Sequence, residues 1–323
     1  MTQSARIGEI LTLLRESDTH VSGAAIAARL GISRTAVWKY LHHLENFGYS
    51  FEHGKGQGYR ITSSPDRLYS WEIDRHLSTE RVGRDIVYRE TVGSTNAVAF
   101  KMALDGADEG TCVVAESQEA GKGRLNRKWH SPFGQNVYVS VVFRPLVHPS
   151  QVYPLTFISS LAVFDLLVDC GVTPRLKWPN DVLVGKRKIC GTLIELSAEP
   201  DAIRFVVVGI GLNVNVTDND LTDEIREIAT SLFMETKKPF ERAFVCGMLL
   251  NNLERYYDIL VNEGVGSVCR LWEDRAKIRD TYMEIKQFDV VHRGTCVGID
   301  KDGAILLRND NNIIRVIAGD ATV

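Results

Sequence analysis

Cysteine is scarce in this chain and disorganised where it occurs. Six cysteines are spread over 323 residues, at 112, 170, 190, 246, 269 and 296, with no CxxC pair and no His/Cys cluster. That scatter excludes a zinc framework and a disulfide scaffold, predicts no metal site, and fits the reduced thiols of a cytoplasmic protein. Long hydrophobic runs are missing as well. The most apolar stretch, residues 155–168, carries Asp165 and is shorter than the roughly 20 residues needed to cross a bilayer. With no signal-peptide pattern at the start, a cytoplasmic protein with no membrane partner is expected. A basic excess is also lacking, since the formal net charge is −3. Hydrophobic residues make up 44% and charged residues 24%, which excludes wholesale disorder. The length fits about two domains, or three if one is small.

The charge is uneven. Residues 1–64 hold 7 Lys/Arg against 5 Asp/Glu, and four of the eight histidines (His20, His42, His43, His53) lie there. Ile7, Ile10, Leu11 and Leu14 follow helical spacing. Ser22 can cap a short helix that Gly31 ends, and Ser33 can cap a second running from about Arg34 to Phe47. Two helices around a short Gly-containing turn form a helix-turn-helix. In the second helix Val37, Leu41 and Leu44, with Tyr40 and Phe47, make a buried stripe, while Arg34, Thr35, Trp38, Lys39 and His42 fall outside it. Two short alternating strands, 49–52 and 59–61, then flank a Gly-rich tip containing Lys55, in the manner of a wing. A three-helix interaction module with a solvated face fits the same periodicity. Trp38 beside Arg34 and Lys39, together with the basic wing, favours DNA: Arg and Thr can reach base edges, and Lys can reach phosphate.

Ser63-Ser64-Pro65-Asp66 marks a boundary. From Glu90 onward, strand-like runs at 111–117, 136–143 and 203–216 are interleaved with helical stretches at 96–104, 150–170 and 241–262. This predicts a mixed α+β sheet packed on helices. Residues 282–323 alternate Val, Ile and Tyr with polar residues around turns at 300–303 and 309–312, the pattern of a small all-β domain. The domain count rises to three: 1–64, 65–275 and 276–323.

Four segments carry chemistry. Residues 116–129 follow a strand and pack Gly121, Lys122, Gly123, Arg124, Arg127 and Lys128 into eight residues. Glycines let a backbone fold over an anion, and the cations neutralise phosphate or carboxylate oxygens. A flexible basic loop fits equally, and neither a Walker A nor a Rossmann pattern is present. Lys177 ends a strand before Trp178-Pro179-Asn180-Asp181, where it can meet an anion as a point charge or serve only as a surface lysine beside a turn. Gly209 and Gly211 share one face of a strand that runs on to Asn213, leaving room for a flat ligand or for sheet packing. Gly93-Ser94-Thr95-Asn96 offers hydroxyls and an amide at a helix start, or an ordinary N-cap. No Ser-His-Asp order, HExxH or paired-carboxylate feature appears, so the implied chemistry is positional and electrostatic.

In combination, GSTN (93–96), ESQEAGKGRLNRKWHSPFGQNVYVS (116–140), KWPNDVLVGKRKICGTLIEL (177–196) and GIGLNVN (209–215) resemble the conserved blocks of biotin–protein ligases. The N-terminal segment is similar to that of the bifunctional biotin operon repressors, so the resemblance spans essentially the whole chain. It implies a winged helix, a class II synthetase-like ligase domain and an SH3-like C-terminal barrel. It also implies a biotin–[acetyl-CoA-carboxylase] ligase that makes biotinyl-5′-AMP from biotin and ATP, with Mg2+ accompanying ATP. Biotin would then pass to a lysine of the biotin carboxyl carrier protein of acetyl-CoA carboxylase, or of other biotin-dependent carboxylases. As corepressor, the adenylate would promote a homodimer that binds operator DNA.

By motif, the biotin contacts implied are Ser94, Thr95, Asn96, Gln118, Lys122, Gly123, Arg124 and Lys177, with Arg124 and Lys177 catalytic. Gly121, Arg127, Gly209, Gly211 and Asn213 would serve ATP and the adenylate, and Arg34, Thr35, Trp38, Lys39 and Lys55 the DNA. The loop departs from the usual GRGRxGR: Lys122 lacks arginine's bidentate fork, and Asn126 stands where a glycine is usual. Other readings are a ligand-sensing regulator without catalysis, a ligase with a vestigial winged helix, and a lipoate ligase. The winged helix and KWPND weigh against the last.

Overall fold

The computed structural model describes residues 3–54 and 58–322. Helix α1 (Gln3–Arg15) turns Ile7, Ile10, Leu11 and Leu14 inward. Helix α2 (Gly23–Leu30) starts where the Ser22 hydroxyl accepts from the Ala25 N–H, and it ends at Gly31, whose φ of 64° suits a residue without Cβ. Helix α3 (Arg34–Asn46) is capped in the same way by Ser33, which accepts from the Ala36 N–H. Strands β1 (Ser50–Gly54) and β2 (Gly58–Ser63) form the wing hairpin, but Lys55 lies outside the described residues. Val37, Leu41 and Leu44 close the small core with α1 and α2.

That core continues past the linker into Tyr69 and, less deeply, Trp71 at the start of α4 (Ser70–Asp74). Buried Glu72 accepts hydrogen bonds from the Tyr49 hydroxyl and from Arg15 Nη2 at 2.8 Å, while Arg75 Nε lies 3.2 Å away. The linker itself is pinned from below. Fully buried Arg242 pairs with Asp66 at 3.0 Å and with Glu116 at 2.7 Å, and the Leu68 N–H donates to Glu116.

Next come β3 (Ile86–Val92), α5 (Thr95–Leu104), β4 (Cys112–Gln118), β5 (Val137–Phe143), α6 (Leu155–Asp169), β6 (Pro174–Lys177), β7 (Asp181–Val184), β8 (Arg187–Ala198) and β9 (Ile203–Leu212). The seven strands form one sheet in the order β3-β4-β5-β9-β8-β7-β6, parallel only at β3–β4. Helix α5 covers one face through Ala99 and Ala103 against Val113, Val142, Phe205 and Val207. Helices α7 (Asp223–Arg226) and α8 (Leu232–Thr236) lead to α9 (Arg242–Glu263) and α10 (Val265–Ala276); α6 and α9 share a continuous core with the opposite face. The 21-residue segment Pro149–Asp169 is long and apolar enough to cross a membrane, more than the run at 155–168 suggested, yet most of it is buried inside the protein.

Several boundaries differ from expectation. A strand begins at Ile86, ahead of Glu90, and β9 stops at Leu212 because the Asn213 and Asn215 side chains turn the chain into a loop. The helix expected from 150 starts at Leu155, after a 3₁₀ turn at Pro149–Gln151. Strands β10 (Tyr282–Gln287), β11 (Val290–Ile299), β12 (Ile305–Asn309), β13 (Asn312–Val316) and β14 (Asp320–Thr322) pair in the order β13-β12-β11-β10-β14. Among the described residues no pairing joins β13 to β14, so the expected barrel is an open five-stranded antiparallel sheet.

Candidate active site

Strand pairing sets the floor of the site. Ser140 lies opposite Gly209, which lies opposite Leu193; in the next row Tyr138 faces Gly211, which faces Gly191. Where α5 begins, small residues therefore leave the sheet surface low, and a cavity of about 890 Å³ opens there. Side chains occupy the space above the glycines. A Cβ on Gly209 would lie 2.0 Å from Asn96 Oδ1, and one on Gly211 would lie 2.4 Å from Trp129 Nε1. The Trp129 Nε1–H is buried without a hydrogen-bond partner among the described residues.

One end of the cavity is polar and uncharged. Gln118 Oε1 accepts from the Thr95 N–H at 2.9 Å and from its hydroxyl at 3.1 Å. Buried Ser140 donates to Asn96 Oδ1 at 2.6 Å. Burial, eased by a hydrogen bond from Asn136, raises the Tyr138 phenol above its usual range and keeps it neutral beside this floor.

The other end is cationic. The loop after β4 folds back on itself, with the Gly123 N–H donating to the Arg127 carbonyl at 2.7 Å and the Trp129 N–H to the Gly121 carbonyl at 2.9 Å. Leu125 and Asn126 sit at φ 55° and 57°, a region that asparagine tolerates better than most residues and leucine does not. Arg124 holds the loop down, donating to Asn180 Oδ1 at 3.1 Å and to the Gly319 carbonyl at 3.2 Å. Lys177 Nζ reaches Asp320 at 3.0 Å, and Arg127 reaches the same carboxylate at 3.3 Å. Partial burial raises the Asp320 carboxyl, but hydrogen bonds and charge from Lys177 and then Arg127 outweigh it and hold the group below the usual carboxylate range.

Of the residues singled out in the sequence, Ser94, Thr95, Asn96, Gln118, Lys122, Gly123, Arg124, Arg127, Lys177, Gly209, Gly211 and Asn213 line this one cavity. Gly121 does not: it lies at the loop base, where a Cβ would crowd Ser131, Gln118 and the Trp129 carbonyl. Asn213 is committed to the loop beneath, donating to the Thr230 carbonyl and accepting from Asn136. Sequence reasoning missed Lys188, which lines the cavity 2.7 Å from Asp181 with its ammonium over the Trp129 ring. Its signal was a third lysine inside the Lys177 block. Asp320, 143 residues from Lys177, gave none. The apolar rim made by Leu221, Ile225, Ile228 and Phe288 was also missed.

The winged helix exposes Arg34, Thr35, Trp38 and Lys39 on one side of α3. Trp38 stacks on His42 with centroids 5.4 Å apart and remains 54% exposed, so its ring is presented rather than packed away. A shallow groove joins Arg34, Thr35 and Trp38 to Ser22 at the start of α2 and to His53 and Tyr59 of the wing.

Residues 88–213, which hold most of this cavity, match the biotin/lipoate A/B protein ligase family, and residues 6–60 match a helix-turn-helix domain. The chain is 36% identical over 301 residues to the bifunctional ligase/repressor BirA of Bacillus subtilis, covering 93% of each protein. It is 27% identical to the Escherichia coli bifunctional ligase/repressor BirA, covering 98% of this chain and 96% of that one. Among solved structures it resembles a biotin protein ligase from Aquifex aeolicus in complex with biotin and ATP, with a TM-score of 0.63 and 25% identity over 74% of this chain and 98% of the other. The chain belongs to the biotin/lipoate A/B protein ligase family, within the bifunctional ligase/repressor group.

Proposed function

We propose that this protein is a biotin–[acetyl-CoA-carboxylase] ligase that also represses transcription. One observation carries the enzymatic half: a single cavity joins an uncharged hydrogen-bonding floor at Thr95, Asn96 and Gln118 to a cationic end at Arg124, Arg127, Lys177 and Lys188. Biotin has the matching halves, a cyclic urea and a carboxylate. The polar floor takes the urea with Ser94 nearby, and Lys177 with Arg124 draws the carboxylate toward the α-phosphate of ATP.

Attack of the carboxylate oxygen there breaks the α–β bond, giving biotinyl-5′-AMP and pyrophosphate. The cations offset charge that builds on the phosphoryl oxygens, which is where positioned charge lowers a barrier. Lys122, Gly123 and Arg127 close over the adenylate, and the glycine strand with Gly211 seats Trp129 beside it. A carrier lysine amine then attacks the anhydride carbonyl, AMP leaves, and the amine's proton passes to solvent. Among the described residues no three His, Cys, Asp or Glu side chains form a metal site. Mg2+ is proposed to enter on the ATP phosphates with waters completing its shell, as suits this ion. ATP–pyrophosphate exchange driven by biotin and not by lipoate tests the reading; exchange with lipoate alone would overturn it.

The repressor half rests on α3. Arg34, Thr35, Trp38 and Lys39 face outward on the helix that would enter the major groove, and Lys55, which the sequence puts between β1 and β2, is proposed to reach phosphate. One such module contacts few phosphates and binds weakly, so a homodimer on two half-sites of operator DNA is the form proposed, with biotinyl-5′-AMP as corepressor. The stretch Leu193–Ala198 of β8 pairs with β9 on one side and with no strand on the other among the described residues. An unpaired strand edge is a ready template for a second chain. Carrier proteins of biotin-dependent carboxylases complete the proposed partners, in the cytoplasm, and the C-terminal sheet is taken as an opened SH3-like unit. Operator binding that strengthens with biotin plus ATP in a gel-shift assay is expected; indifference to them would refute the coupling.

A further inference from the structure

The cavity floor depends on a carboxylate that lies outside it. Asn96 is 4% exposed, and its Nδ2 group donates to Glu195 Oε2 at 2.9 Å and to the Leu193 carbonyl at 3.3 Å. Glu195 itself is an exposed residue of β8, on the part of that strand with an open edge. Those two acceptors settle the orientation of the Asn96 carboxamide. Turned over, its Oδ1 would face a carboxylate and a carbonyl, both acceptors only.

The orientation propagates. Asn96 Oδ1 receives the Ser140 hydroxyl at 2.6 Å, and Ser140 Oγ lies 2.8 Å from Thr95 Oγ1. A serine has a single proton. Once it is committed to Asn96, the Ser140 oxygen is left as an acceptor, so the one Thr95 hydroxyl proton is shared between Ser140 Oγ and Gln118 Oε1, both acceptors. The Thr95 hydroxyl proton is thus held by Ser140 and Gln118, which leaves the Thr95 oxygen, a lining atom of the cavity, to accept. A surface of acceptors recognises a ligand that brings N–H donors, as a cyclic urea does.

We propose that Glu195 is a positioning residue for urea recognition: from the edge of β8 it clamps the Asn96 carboxamide and so fixes the donor–acceptor polarity of the floor at Ser140 and Thr95. This rests on the biotin reading given above. The cationic end is untouched by it, so the effect is confined to one substrate.

The test is calorimetric titration of biotin into the full chain, with KM for ATP measured in parallel. Glu195→Leu removes the acceptor and is expected to weaken biotin about fivefold, the worth of one net hydrogen bond. Glu195→Lys, which turns donors toward donors, weakens it further. Glu195→Gln keeps an acceptor oxygen and stays within about twofold of the wild type. KM for ATP is unchanged in all three; the Leu and Lys variants lose one hydrogen bond to buried Asn96 and unfold at a slightly lower temperature, and the titrations are run well below it. Unaltered biotin affinity in Glu195→Leu, equal losses in the Gln and Leu variants, or a parallel rise in KM for ATP would each overturn the proposal while leaving the ligase reading intact. A wild-type chain that binds no biotin would overturn both.

Discussion

Replacing Gly209 by alanine probes how the glycine strand works. A Cβ there would sit 2.0 Å from Asn96 Oδ1 and 2.7 Å from its Cγ, well inside van der Waals contact, so the carboxamide must retreat by more than an ångström. It cannot do so freely. Asn96 is buried and held by Ser140, Glu195 and Leu193. Losing two of those bonds at about 1 kcal/mol each, with about 1–2 kcal/mol of overpacking, gives a cost of about 3–4 kcal/mol. That cost divides between unfolding free energy and biotin affinity, which urea denaturation and titration calorimetry measure separately. The decisive comparison adds Asn96→Ala. Without the carboxamide the added methyl meets nothing hard, so the double variant should behave like Asn96→Ala alone, with a coupling energy equal to the whole Gly209→Ala cost of about 3–4 kcal/mol. Strictly additive effects would refute the view that Gly209 exists to seat Asn96.

Arg124→Gly removes both bonds that hold the loop after β4, to Asn180 and to the Gly319 carbonyl. The adenylate should then escape and label bystander lysines; labelling confined to carrier domains would contradict this. Trp38→Ala should weaken operator DNA about tenfold in a gel shift, within the range of a lost groove contact, and leave pyrophosphate exchange unchanged. Asp320 is held below its unfolded pKa of about 3.9, so its contribution to stability is present above that pH and lost as pH falls through the folded value. Half-exposed, it is worth well under about 1 kcal/mol. Urea curves of Asp320→Asn and wild type should therefore differ at pH 7 and merge below about pH 3; a gap that widens in acid would count against the pairing with Lys177 and Arg127.

Much of the architecture was legible because it is local. Ser22, Ser33 and Gly31 bound the helices of the winged module, since caps and left-handed turns are decided by neighbours within a few residues. The same locality placed α5, β4, β5 and α9 to within a residue or two. It failed at β9, where Asn213 and Asn215 bond to Thr230 and Phe240, partners too remote for any pattern to reveal. The C-terminal barrel differs for another reason: closure depends on whether the two edge strands β13 and β14 meet, which is set by how the whole sheet curls and not by their spacing along the chain.

The amino-acid sequence by itself determined the family and the chemistry on offer: a basic glycine loop, a lysine before Trp-Pro-Asn-Asp, and paired strand glycines. Those are properties of composition at short spacing, and they survive without coordinates. Only the tertiary structure decided what each residue meets. Asn96 and Trp129 lie over the glycines, Asp320 reaches back across 143 residues to Lys177, and Glu195 on one strand orients an amide at the head of a helix. The reason is physical. A side chain's identity sets what bonds it can make, while the partner within 3 Å is selected by long-range packing, which spacing along the chain does not encode.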